Sequence, residues 1–133
     1  MLFRSTALTQ SVPRAGLLHG ILFKCVSDSQ TTDSMINYIS LKSDNAYLHA
    51  DRLGWATLQR ANAIDYQIDV SGASLSSPQT TGFAFLDLTE DGDIASMVNV
   101  NDLNVLDLVI DTSLPSGTTR QIVATYVFLE PRV

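Results

Sequence analysis

Short segments of alternating side chains recur along this chain and constrain its fold more than any other feature. The longest is 118–130, where apolar residues occupy both sets of alternate positions. Successive side chains of a β-strand point to opposite faces, so a repeat of two indicates strands and not helices. Other segments of strand length, alternating or continuously apolar, lie at 16–26, 35–42, 65–71, 82–89, 94–100 and 105–111. A short return strand is also predicted at Tyr47 and Leu48, so the chain predicts about eight strands.

Turn-forming residues separate these segments, and one helix interrupts them. Asp, Asn, Gly, Ser and Pro are concentrated at 43–45, 90–93 and 113–117, where they favour turns. Residues 50–64 have helical periodicity, and Asp51 lies where a carboxylate can meet the free N–H groups of a helix start. The expected helical face is formed by Leu53, Thr57, Leu58, Ala61 and Ile64.

The order of these elements predicts a fold class and one domain. Strands do not alternate with helices as in a parallel sheet, and no internal repeat is present. We expect a mostly β fold, an antiparallel sandwich or single jelly roll of about eight strands with one inserted helix. The 133 residues suffice for one domain, which we place at 15–133. Residues 1–14 have no clear period and are predicted to form an N-terminal arm or an edge segment.

The charge balance bears on the class of partner. Fourteen acidic residues outnumber eight basic ones, and the net charge is −6. The phosphate backbone of a nucleic acid attracts a basic stripe, so we expect no direct nucleic-acid binding. No segment reaches the roughly 18–20 consecutive apolar residues of a membrane span, and polar residues interrupt any signal-peptide core near the N-terminus. We expect a chain made in a reducing cytoplasm, with Cys25 as a small buried hydrophobe.

Residues with catalytic chemistry are few, and no motif connects them. His19 lies in an apolar segment, and His49 lies just before the predicted helix. Neither a G-x-S-x-G elbow nor a phosphate-binding glycine loop is present. We therefore expect neither an enzyme nor a bound cofactor. Trp55 is predicted to anchor the helix on a sheet, and the alternative is an exposed contact residue.

One acidic cluster has the chemistry of a cation site. Asp87, Glu90, Asp91 and Asp93 follow a predicted strand, and a hard cation such as calcium prefers oxygen ligands. Their spacing differs from the twelve-residue EF-hand loop, so a solvated Asp-Gly turn is the favoured interpretation and calcium the alternative. Zinc would need more nitrogen and sulfur ligands than one cysteine and two histidines provide.

Two stretches of the chain resemble a known family of proteins. The first is INYISLKSDNAYLHADRLGWATLQRANAI, and the second is GFAFLDLTEDGD followed by LNVLDLVIDTS and RQIVATYVFLEP. They are similar to the strand–turn–helix and the closing strands of the jelly-roll major capsid proteins of tailless, membrane-containing icosahedral phages of the corticovirus type. The resemblance covers residues 15–131. That family carries two jelly rolls in one chain, whereas this chain has the length for one.

The resemblance implies a structural virion protein. Such a chain would be a capsid subunit that self-assembles or co-assembles into an icosahedral shell. Its partners would be other copies of itself and other capsid proteins, and the resemblance allows for a membrane beneath the shell. The family implies no catalytic residues. Two alternatives stay open: a sandwich that binds a glycan or a host receptor, and an enzyme built on a sandwich.

Overall fold

The fold is that of a computed structural model. The structure describes residues 6–44, 47–65, 81–89, 97–113 and 119–129. The predicted strand at 65–71 lies outside these residues, except for Asp65. In chain order the elements are β1 (Thr6–Ser11), β2 (Leu17–Ser27), β3 (Gln30–Thr31), β4 (Ile36–Ser43), β5 (Tyr47–Gly54), α1 (Trp55–Asp65), β6 (Phe83–Asp87), β7 (Val98–Asn99), a 3-10 turn (Val100–Asp102), β8 (Leu106–Thr112) and β9 (Arg120–Leu129).

The described strands form two antiparallel sheets. The first sheet has the order β1-β8-β4-β5. In the second sheet β2 is central, and β9 pairs along its whole length, from Leu17 with Leu129 to Ser27 with Arg120. The short strands β7, β6 and β3 share the other edge of β2. In both sheets a strand near the start of the chain pairs with one near its end, β1 with β8 and β2 with β9.

The two sheets pack face to face around one core, which confirms the predicted antiparallel β-sandwich. Ile21 and Phe23 of β2 are fully buried, as are Ile39 and Leu41 of β4 and Leu108 of β8. Burial of each such side chain contributes roughly 1.5–3 kcal/mol. The alternation predicted for the last strand is also confirmed, because one set of its side chains packs against this core: Ile122, Ala124, Tyr126 and Phe128.

A tight hairpin joins β2 to β3. Asp28 and Ser29 both have positive φ angles, 50° and 67°, between the paired residues Ser27 and Gln30. Two consecutive positive φ angles match the twist of a two-residue hairpin. This hairpin is not predicted from the sequence, because glycine is absent from a turn that usually contains it.

The helix begins later than predicted. Residues 50–54, including Asp51, belong to β5, so Asp51 does not cap the helix and α1 begins at Trp55. The pairing of β4 with β5 contains register shifts, and Arg52 has a φ of 53°. These irregularities remove the alternation by which a strand is recognised. The predicted helical face is correct at Leu58, which is buried, and wrong at Thr57, Ala61 and Ile64, which are exposed.

The buried face of α1 consists of Trp55, Leu58 and Asn62. Trp55 is 4% exposed and meets the ring of Phe23 edge-on at 6.4 Å between centroids, which confirms its role as an anchor. A carboxylate from the β3–β4 connection also holds the helix: Asp33 Oδ1 accepts from Trp55 Nε1 at 3.1 Å and from Gln59 Nε2 at 2.8 Å.

Helix α1 covers the free edge of β6. The amide of Asn62 accepts from Phe85 N at 2.8 Å and donates to Phe85 O at 2.7 Å, as a neighbouring strand would. Gln59 Nε2 donates to Phe83 O at 3.2 Å. Unpaired strand edges attract other strands, so these bonds close one side of the second sheet.

The ends of the predicted segments differ in places from the structure. Thr6–Ser11 of the predicted arm or edge segment form the edge strand β1. Of the predicted strand 94–100, Val98–Asn99 are extended and Val100 begins the 3-10 turn, while 94–96 lie outside the described residues. None of the helices in the described part of the chain has the length and apolarity needed to cross a membrane.

Candidate functional site

The outer faces of the two sheets differ in polarity. On the first sheet, Asp107 and Asp111 of β8 are held in hydrogen bonds. Asp107 Oδ1 accepts from Ser11 Oγ at 3.4 Å, and Asp111 Oδ1 accepts from Asn37 Nδ2 at 3.4 Å. Lys42 lies in register with Asp107 on the next strand. This face has the polarity expected of a surface that meets water.

The outer face of the second sheet carries four exposed apolar side chains, beside the exposed Thr125 and Lys24 of the same face. Leu22 of β2 is 38% exposed, and Val123, Val127 and Leu129 of β9 are 37%, 40% and 39% exposed. We call these four residues the apolar face. The strand register places Leu22 opposite Thr125 of β9 on one side and opposite Phe85 of β6 on the other. Contiguous exposed apolar patches mark sites of interaction in soluble proteins.

Polar groups border the apolar face on the side of β6. Lys24 Nζ lies 5.8 Å from the centre of the Phe83 ring. The His19 ring lies 5.9 Å from that of Phe85, and His19 Nε2 lies 3.9 Å from Asp87 Oδ1. An apolar centre with a polar border is the usual anatomy of a protein–protein contact.

The strand edge beside the apolar face is open in the part of the chain that the structure describes. β9 is ten residues long, and no described strand pairs with the edge that faces away from β2. Natural sheets protect such edges with charges, proline, bulges or a covering helix. Between Gln121 and Leu129, β9 has neither a charged residue nor a proline. The closed β6 edge and the open β9 edge are therefore chemically different.

A second candidate site is a cleft beside the start of α1. It has a volume of about 440 Å³ and is lined by Asp33, Asn37, Tyr38, Thr57 and Gln59, among others. Tyr38 is 40% exposed, and the Arg52 guanidinium carbon lies 4.7 Å from its ring centre. The size is within the range of small-molecule sites, and the lining offers carboxylate, amide and aromatic groups.

The structure places one of the four predicted calcium ligands. Asp87 Oδ1 accepts from Thr89 N at 2.9 Å and from Thr89 Oγ1, which is the bonding of a turn. Glu90, Asp91 and Asp93 lie outside the described residues. Among the residues that are described, no three His, Cys, Asp or Glu side chains are grouped so as to hold a metal ion.

Of the residues considered for catalysis, the structure describes the side chains of Cys25 and His19, and these lie in different surroundings. Cys25 is fully buried in the core, as predicted, whereas the His19 side chain is 38% exposed. Burial, and then the charge of Asp33, raises the pKa of the Cys25 thiol to about 12. A protonated thiol is a poor nucleophile and a poor metal ligand. The side chain of His49 lies outside the described part of the structure.

Sequence reasoning missed both candidate sites. Val123, Val127 and Leu129 form an apolar set in the printed sequence, but alternation alone assigns neither set to the core. The cleft combines residues from 33–38 with residues from 54–59, and only the packing of α1 brings them together. Comparison of the chain with models of protein families, with curated proteins and with solved structures finds no match.

Proposed function

We propose that this protein is a structural subunit of a protein shell, like the phage capsid proteins that parts of its sequence resemble. The observation that supports this function best is the apolar face beside the open edge of β9. A stable monomer gains nothing from exposing Leu22, Val123, Val127 and Leu129 together. A subunit that is covered by neighbours in its working state can carry such a face.

The partners proposed for this surface are other copies of the chain and other capsid proteins, and the proposed location is the virion. The net charge of −6 disfavours direct contact between this surface and the nucleic acid of a packaged genome. A rigid sandwich suits this function because a closed shell requires the same contact to recur between subunits with little variation. A membrane beneath the shell is compatible with the acidic charge of this protein if other proteins lie between the membrane and this subunit.

The test is the mass and shape of the purified protein. Light scattering coupled to size exclusion, followed by electron microscopy of the same fraction, should reveal rings, small symmetric oligomers or closed shells. The double substitution Val123→Lys and Val127→Lys should reduce this assembly, because it places charges on the apolar face. Ile64→Lys is the matched control, since Ile64 is an exposed apolar residue on α1, away from that face. A wild-type monomer across a wide range of concentration and salt would overturn the proposal.

The cleft favours a second candidate function, recognition of a small polar ligand such as a glycan. Tyr38 offers a partly exposed ring in this cleft, which Asp33, Asn37 and Gln59 also line. A glycan panel read by chemical-shift changes would test this function. Tyr38→Ala should abolish any binding that uses the cleft, and Ile64→Ala should leave it unchanged. Binding that survives Tyr38→Ala would exclude the cleft as its site.

A further inference from the structure

We propose that two copies of this chain join through their β9 strands, edge to edge and antiparallel, about a two-fold axis at Thr125. This inference rests on the proposed function and makes it specific, because it names the contact and its register. In this register Thr125 of one copy lies opposite Thr125 of the other. Residues at equal distances before and after Thr125 face each other, so that the two residue numbers of each opposed pair add up to 250.

The two edges of the second sheet show why β9 is the strand that pairs. Along β6, the amide of Asn62 and Gln59 Nε2 already occupy backbone groups of Phe83 and Phe85. Along β9, no backbone hydrogen bond to a described residue outside β2 involves the strand. Ten residues of open edge exceed the usual length of an edge strand that natural proteins leave unprotected.

Charge at the beginning of β9 favours the antiparallel orientation. The strand begins with the exposed Arg120. Parallel pairing would bring Arg120 of the two copies together, and like charges directly opposite each other are unfavourable. Antiparallel pairing places the two Arg120 side chains at opposite ends of the contact, as a two-fold contact does.

The side chains match in the same register. On the outer face, Val123 of each copy lies opposite Val127 of the other, so the two apolar faces become one continuous surface. On the inner face, small Ala124 lies opposite large Tyr126, and Ile122 lies opposite Phe128. Cross-strand pairs of aromatic and aliphatic side chains are the units that stabilise a sheet, so this register accumulates favourable pairs on both faces.

Cysteine cross-linking tests the register directly. Directly opposed residues in an antiparallel pair have Cβ atoms about 4.5–5.5 Å apart, and a disulfide requires only a small further approach. Thr125→Cys should therefore cross-link to itself when a mild oxidant is added. Val123→Cys should not cross-link to itself, because the two copies are about 13 Å apart along the strands. A mixture of Val123→Cys with Val127→Cys should give the mixed dimer. Cys25 does not interfere, because its thiol is fully buried.

A charge substitution tests the contact in solution. Thr125→Lys places two like charges opposite each other at the axis, and it should weaken the dimer about fivefold or more. Thr125 is exposed, so the subunit itself should remain folded, which circular dichroism would verify. The control is Thr9→Lys, which introduces the same charge on the exposed edge strand of the other sheet.

The outcomes separate this inference from the proposed function. A monomeric wild type would overturn both. Wild-type assemblies that persist with Thr125→Lys, without the Thr125→Cys cross-link, would overturn the β9 contact and leave the shell function standing. Strong protection of both edges of β9 from amide hydrogen exchange in an isolated monomer would show that another segment of the same chain covers the edge, and would also overturn the contact. We expect Thr125→Cys to cross-link to itself and Val123→Cys to form the mixed dimer with Val127→Cys. We expect Thr125→Lys to lose the dimer and Thr9→Lys to keep it.

Discussion

Cys25 illustrates how a single buried residue makes the free energy of unfolding depend on pH. Its thiol lies in the core beneath the β3–β4 connection, and burial followed by the charge of Asp33 raises its pKa to about 12. The usual pKa of this group is 9.0. Between these two values the unfolded chain loses the thiol proton while the folded chain keeps it. The stability associated with the protonated thiol is therefore complete below pH 9 and decreases as pH rises toward 12.

The prediction is that the free energy of unfolding falls between pH 9 and pH 11 more steeply in the wild type than in Cys25→Ala. The slope due to this one group is at most about 1.4 kcal/mol per pH unit. Urea unfolding at pH 8, 9, 10 and 11 measures it, and the difference between the two proteins removes the contribution of tyrosines and lysines. Equal slopes for both proteins would contradict the assigned pKa.

Asp33 connects three parts of the chain through one oxygen. Its Oδ1 accepts from Trp55 Nε1, from Gln59 Nε2 and from Gly82 N, the last at 2.7 Å. Hydrogen bonds to a charged acceptor contribute more than those between neutral groups. This carboxylate therefore joins the β3–β4 connection, the first turns of α1 and the beginning of β6.

We expect Asp33→Ala to destabilise the fold by about 2–3 kcal/mol, because three donors lose their acceptor. Asp33→Asn is the matched control, because it keeps an oxygen at the same position without the charge. It should cost less than half as much. Thermal and urea unfolding of the two variants would measure both changes. If both variants unfold like the wild type, Asp33 is not a stabilising connection.

At the scale of elements, the relation between α1 and β6 is the most informative. The helix packs Trp55 and Leu58 into the core and places its third buried residue, Asn62, against the edge of β6. The Asn62 amide donates and accepts at the backbone of Phe85 as a strand would. A search for apolar periodicity cannot identify this residue as inward-facing, which explains why the sequence predicted Leu53 and Ile64 for the helical face instead.

Asn62→Ala should destabilise the protein by about 2–3 kcal/mol, because two backbone groups of β6 lose their partners. Asn62→Asp preserves the shape and the acceptor but cannot donate to Phe85 O, and it should also be destabilising at neutral pH. Arg60→Ala, on the exposed side of the same helix, is the control and should change stability by less than about 0.5 kcal/mol. Equal stabilities for Asn62→Ala and Arg60→Ala would refute the edge cover.

The predictability of each element follows from its local chemistry. The sequence predicts five of the strands, because their apolar side chains recur on a face that the core buries: β2, β4, β6, β8 and β9. The sequence predicts a short return strand at Tyr47 and Leu48 but assigns the rest of β5 to the start of a helix, because its register shifts and the left-handed Arg52 disrupt alternation. The pairing of strands was not predictable. β1 meets β8 across about a hundred residues of chain, and alternation carries no information about the partner.

At the scale of the whole molecule, net charge opposes the association that the apolar face favours. Each copy carries −6, so two copies repel each other until salt screens the charge. The screening length falls from about 30 Å at 10 mM to about 8 Å at 150 mM ionic strength. Assembly through the apolar face and β9 should therefore strengthen with salt.

Sedimentation velocity at a fixed protein concentration, in 10 mM and then 150 mM sodium chloride, measures the assembled fraction. We expect the fraction to rise with salt in the wild type. The double substitution Val123→Lys and Val127→Lys should show no such rise, because it lacks the apolar contact. Dissociation of the wild-type assembly by added salt would indicate a contact built from ion pairs and not from the apolar face.

The covered edge at β6 also limits how far such an association can proceed. Within the described residues, the second sheet offers a long open edge at β9, whereas on its other side the chain's own helix already caps β6. In the language of polymer chemistry this sheet is a monofunctional monomer: it couples once and then terminates. Two copies joined at β9 present a capped end on each side, so edge pairing in this sheet yields a finite dimer and not a growing fibre. Removal of the Asn62 cap would make the monomer bifunctional.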